Sequence, residues 1–171
     1  MKINIILLLI IGSLHYLRKG PETEFKQKTS TVDNLPDLNL KNVKGESFHL
    51  SSLKGKYVLL DFWASWCMPC IASMPRVDSL YSKYSGKNFA VVSISIDKSR
   101  AAWLKEQAKH HIPWINTITV DTKATQFFNV KAVPYTVLIN PNGEVILTEE
   151  GLSTESSIEN KIHEIFRNTV K

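Results

Sequence analysis

Cysteine is scarce in this chain: 171 residues hold two, Cys67 and Cys70. That excludes a disulfide-rich scaffold, because a single bridge is the most the chain can form alone. No cysteine follows the apolar start, so a lipid-modified N-terminal cysteine is excluded as well. There is no basic run. Three of the five net positive charges come from Lys2, Arg18 and Lys19, which leaves +2 for residues 20–171. A near-neutral remainder makes a poor nucleic-acid binder, and no nucleic-acid partner is expected. Internal repeats and low-complexity tracts are missing too. The apolar stretch from Ile5 to Ile11 is shorter than the roughly 20 residues that span a bilayer comfortably.

What is present divides the chain into three parts. Residues 1–19 combine Lys2 with an apolar core and read as a signal peptide or a short uncleaved membrane anchor. The alternative is a buried first strand or helix. No small-x-small cleavage site follows the core, which favours the anchor. Residues 20–34 are polar and without apolar period, as a linker would be. Residues 35–171 have ordinary globular composition and one domain's length.

Within that domain, Leu38–Leu40 and Phe48–Leu50 flank Gly45 as a hairpin. Residues 56–62 and 89–96 are continuous apolar runs, which suit central strands. The spacing of Ile71, Met74, Val77 and Leu80 predicts a helix over 70–84, kinked at Pro75 and ended near Gly86. A helix is expected over 101–111 with Ser99 as cap, a strand over 115–120, and a short helix over 123–128. Strands over 135–139 and 145–148 flank a turn at 140–144, and a closing helix is expected over 153–168. Strands alternating with helices imply an α/β layered sheet with a mixed edge.

The two cysteines stand in Trp66-Cys67-Met68-Pro69-Cys70, between a strand and a helix. Cys67 would then sit at the helix N-terminus, where unpaired amides and the dipole favour a thiolate, with Cys70 inside the first turn and less exposed. That arrangement suits attack by Cys67 on a disulfide and resolution by Cys70. Pro69 fits the helix start because its missing N–H has no partner there anyway. Two other uses of the pair stay open. Zinc needs two more ligands, and His110 and His111 are adjacent and remote while His49 and His163 are isolated. A purely structural bridge across so short a loop would stabilise little.

Asp61 lies in the apolar strand, so burial should raise its pKa and suit it to take the proton of Cys70. The other reading is a hydrogen-bonded structural carboxylate. Trp66 is expected on the surface as an apolar docking patch, and Trp63 in the core. Trp103 and Trp114 carry no mechanistic signal.

The segment 58–70 resembles the active-site region of thioredoxins. Pro75 matches the kink proline of their active-site helix, and Val133-Pro134-Tyr135-Thr136 the loop with their cis-proline. The hairpin near 38–50 and the extra helix and strand near 99–120 resemble the membrane-anchored TlpA/ResA-like branch. The resemblance implies a thioredoxin-like three-layer α/β fold, a central mixed sheet with helices on both faces, an added N-terminal hairpin and an αβ insertion. It implies docking of client backbone at Val133 beside Pro134, with Trp66, Met68 and Pro69 completing the docking surface. It implies no cofactor beyond the redox disulfide itself. Protein disulfide or dithiol clients follow, with an unidentified membrane or extracytoplasmic electron donor, an extracytoplasmic location, a monomer, and clients that include c-type cytochrome precursors. One departure stands out. Asp61 holds the thioredoxin position where the ResA-like branch usually has asparagine, and Ser73 stands where that branch commonly has glutamate. A thiol peroxidase is the alternative enzyme, although the Pro-x-x-x-Thr that precedes a peroxidatic cysteine is not found. The non-enzymatic alternative is a binding or chaperone module.

Overall fold

A computed structural model describes residues 38–167. The apolar segment and linker expected over 1–34 lie outside the described residues, as does the end of the expected closing helix. Among the described residues, no helix is long and apolar enough to cross a membrane.

Seven strands form one sheet in the order β2-β1-β5-β4-β3-β6-β7. They are β1 (Leu40–Asn42), β2 (Ser47–Phe48), β3 (Tyr57–Trp63), β4 (Phe89–Ser95), β5 (Ile115–Thr119), β6 (Tyr135–Ile139) and β7 (Val145–Glu150). The apolar runs take the middle, as their lack of alternation requires: β3 is parallel to β4 and antiparallel to β6, and β4 is parallel to β5. The remaining pairs are antiparallel. The expected mixed sheet is present.

Side chains alternate across β3 and divide the core in two. Val58, Leu60 and Phe62 face a layer with Leu50, Leu53, Ala124 and Phe128. Leu59 and Trp63 face the other layer, with α1 (Met68–Tyr84), α2 (Arg100–His110) and α4 (Ser157–Arg167) contributing Met74, Val77, Trp103, Ile158, Ile162 and Phe166. The short α3 (Lys123–Phe127) carries Ala124 on the first side. Helix α1 buries Cys70, Met74, Val77, Leu80 and Tyr84, one stripe at helical spacing. Each fully buried apolar side chain contributes roughly 1.5–3 kcal/mol.

Several expected boundaries move. Leu50 begins a 3-10 turn, Leu50–Leu53, and does not extend the hairpin strand. Helix α1 starts two residues early, with Cys67 as its N-cap, and runs unbroken through Pro75. Gly86 does not stop it through a left-handed bend: the C-cap is Ser85 in right-handed geometry, and Asn88 (φ 61°) makes the left-handed turn into β4. Helix α4 starts at Ser157, four residues later than expected, because Glu149 caps it from β7. Its Oε2 accepts from Ser157 N–H (2.7 Å), Ser157 Oγ (2.7 Å) and Ile158 N–H (3.3 Å). Burial works to raise the Glu149 pKa, but hydrogen bonds from Ser157, Ser156 and Ile158 outweigh it, and the carboxyl lies below its ordinary value.

Candidate active site

Strand β3 ends at Trp63 and a tight turn begins. The Cys67 N–H donates to the Ala64 carbonyl at 3.0 Å, which closes the turn over 64–67. Cys67 then caps α1. Its Sγ accepts from the Cys70 N–H at 3.2 Å, and its carbonyl accepts from Ile71 N–H at 3.1 Å. A sulfur in this position replaces the hydroxyl or carboxylate of an ordinary N-cap and meets the positive end of the helix. Pro69 occupies the first turn without loss of a hydrogen bond. Cys67 and Cys70 are joined as a disulfide.

Cys67 is covered in the disulfide state. It is 4% exposed and Cys70 is 2% exposed. The Val133 carbonyl lies 3.6 Å from Sγ of Cys67. A disulfide sulfur has no proton to donate, so this is a contact and not a hydrogen bond. The neighbours are open: Trp66 is 65% and Met68 68% exposed. The Val133–Pro134 peptide is cis. Trp66, Cys67, Met68, Pro69 and Val133 thus gather at one end of the sheet, from segments 66 residues apart in the case of Cys67 and Val133.

Asp61 lies between Leu59 and Trp63 on the face toward α1 and is 3% exposed. Burial raises its pKa from 3.8 to about 6, and a hydrogen bond from Ser93 opposes the rise. The carboxyl lines a cleft with Ser73, Arg76, Pro134 and Thr136. Its side-chain hydrogen-bond partner is Ser93, and neither sulfur bonds to it. Ser93 Oγ donates to Asp61 Oδ2 at 2.9 Å and accepts from Trp114 Nε1 at 2.8 Å. Trp114 is therefore tied to the buried carboxyl, a link that its sequence position gives no hint of. Ser93 is equally hidden: it is one of two serine hydroxyls in an apolar run, and only its register opposite Asp61 singles it out.

A Redoxin family profile matches residues 31–162, well over half of the chain. The chain belongs to the Redoxin family. Among curated relatives, the thiol-disulfide oxidoreductase ResA of Bacillus subtilis is 29% identical over 153 residues, covering 90% of this chain and 86% of that protein. ResA of Oceanobacillus iheyensis is 30% identical, over 78% of this chain and 71% of that one. A crystal structure described as thiol:disulfide interchange protein DsbE from Chlorobium tepidum superposes with a TM-score of 0.69 at 28% identity, over 84% of this chain and 96% of its own. A thiol:disulfide interchange protein from Bacteroides sp. shares the fold, with a TM-score of 0.71 at 24% identity over 85% and 93% of the two chains. This Redoxin-family chain has the thioredoxin-like fold and the activity class of a thiol-disulfide oxidoreductase.

Proposed function

We propose that the protein reduces disulfides in client proteins outside the cytoplasmic membrane, c-type cytochrome precursors among them. One observation carries the chemistry: Cys67 Sγ caps α1, bonded to Cys70 and flanked by the exposed Trp66 and Met68. The location is supported by the apolar segment after Lys2 and by likeness to the ResA-like branch.

In the proposed cycle the Cys67 thiolate attacks a client disulfide. A Cys67–client bond forms, the client disulfide breaks, and the second client sulfur leaves as thiolate. Cys70 gives its proton to Asp61 and attacks Cys67. The first client sulfur leaves, the client ends as a dithiol, and the protein ends as the Cys67–Cys70 disulfide. A membrane or extracytoplasmic dithiol donor then returns two electrons. Trp66, Met68 and Pro69 bear on the client, with Val133 offering backbone hydrogen bonds beside Pro134. No cofactor other than the disulfide takes part, and the protein works as a monomer.

The test is a pair of variants assayed on a protein disulfide. Cys67→Ser abolishes reduction, and Cys70→Ser accumulates a mixed disulfide that dithiothreitol releases. Full activity in both variants contradicts the mechanism.

A further inference from the structure

The turn that presents Cys67 is held by a second buried carboxylate, which the proposed cycle does not use. Asp97 follows the end of β4, is 6% exposed, and lies 32 residues from Ser65. Its Oδ1 accepts from Ser65 Oγ at 2.7 Å. Its Oδ2 accepts from Ser65 N–H at 2.9 Å and from Ser95 Oγ at 2.7 Å. The Asp97 N–H returns a bond to Ser95 Oγ at 3.0 Å. The adjacent Ile96 N–H bonds to the Trp63 carbonyl at 2.9 Å. Both oxygens are therefore occupied, by hydroxyls and an amide and not by a cation. A buried carboxylate is costly, and bonds to an ionised acceptor are about twice as strong as neutral ones. Two of the three donors belong to Ser65, inside the turn that Cys67 closes back to Ala64.

We propose that Asp97 is a positioning residue for the attacking sulfur: by gripping Ser65 at both N–H and O–H it fixes the turn over 64–67, and so holds Cys67 Sγ at the start of α1. The proposal rests on Cys67 being the nucleophile of the cycle above. A loosened turn weakens the sulfur's access to the amides of the first helical turn. The thiolate is then less stabilised, while the disulfide, which carries no charge, is affected less. The pair becomes slower to attack and easier to keep oxidised.

Two variants separate position from charge. Ser65→Ala keeps the carboxylate and removes one of its donors; Asp97→Asn keeps the shape and removes the charge. In reduced full-length protein, alkylation of Cys67 by iodoacetamide is followed against pH, and the equilibrium with glutathione is measured. Positioning predicts that both variants raise the alkylation midpoint and slow alkylation at pH 7 by about fivefold, as loss of one good hydrogen bond would. Their glutathione equilibria move toward the protein disulfide by a similar factor. Ser65→Thr, which retains a hydroxyl, restores wild-type values. A lowered midpoint in Asp97→Asn with Ser65→Ala unchanged shows an effect of charge alone and overturns the proposal. Lower melting temperature with midpoint and equilibrium unchanged in both shows a merely structural residue and also overturns it. If Asp97→Asn does not fold, the Ser65 pair still decides. Wild-type failure to reduce a peptide disulfide sinks the proposed cycle instead, and the alkylation midpoints judge Asp97 separately.

Discussion

Oδ2 of Asp61 lies 2.9 Å from Oγ of Ser93, the partner opposite it in the parallel register of β3 and β4. The bond stabilises the ionised carboxyl while burial disfavours it, and burial wins, with a pKa of about 6. The group titrates just below neutrality, a range that suits the proton acceptor proposed for Cys70.

Asp61 makes stability depend on pH in a defined window. Below about 4 the carboxyl is protonated in both folded and unfolded chains. Between there and about 6 the unfolded chain ionises while the folded one keeps its proton, so stability falls as pH rises. Above about 6 the loss is complete, at roughly 3 kcal/mol for a shift of this size. Asp61→Asn removes the slope. Urea unfolding at pH 4 and pH 8 checks this: the variant exceeds wild type at pH 8 and matches it more nearly at pH 4. The same variant resolves mixed disulfides about a hundredfold more slowly at pH 7.

Ser93→Ala moves both properties in the opposite sense to a repair. Asp61 loses the bond that lowers its pKa, and the Trp114 indole loses its acceptor. Stability drops by about 1–3 kcal/mol. The rise of resolution rate with pH shifts to a higher midpoint than in wild type, readable by rapid-quench trapping of the mixed disulfide across pH 5–9.

Trp66 and Met68 bury little and touch solvent, so replacing them leaves the fold almost undisturbed. Trp66→Ala and Met68→Ala should change stability by no more than about 0.5 kcal/mol. The KM for a protein disulfide should rise about three- to tenfold, while reduction of a small aromatic disulfide stays at the wild-type rate. Equal losses on both substrates would show that these side chains act on the sulfurs and not on the client.

Much of this site could be read from the residues alone. The apolar run of β3, the Cys67–Cys70 spacing and the helical stripe after it fix where the sulfurs sit, because each signal is local. Asp61 was legible for the same reason, as a charge among apolar neighbours. What stayed hidden depends on pairing across distance. Ser93 and Asp97 are ordinary residues until β3 and β4 align, and Glu149 becomes a helix cap only when β7 meets α4. The contact of Cys67 with the Val133 carbonyl, 66 residues away, likewise depends on pairing across distance.

The proposed cycle requires the start of α1 to stabilise a negative charge on Cys67. Alkylation of the reduced protein, with the modified cysteine identified by peptide mapping, measures it directly. Cys67 is expected to react first, with a midpoint well below the roughly 8.5 of an ordinary thiol. A midpoint at or above that value, or Cys70 reacting ahead of Cys67, contradicts it.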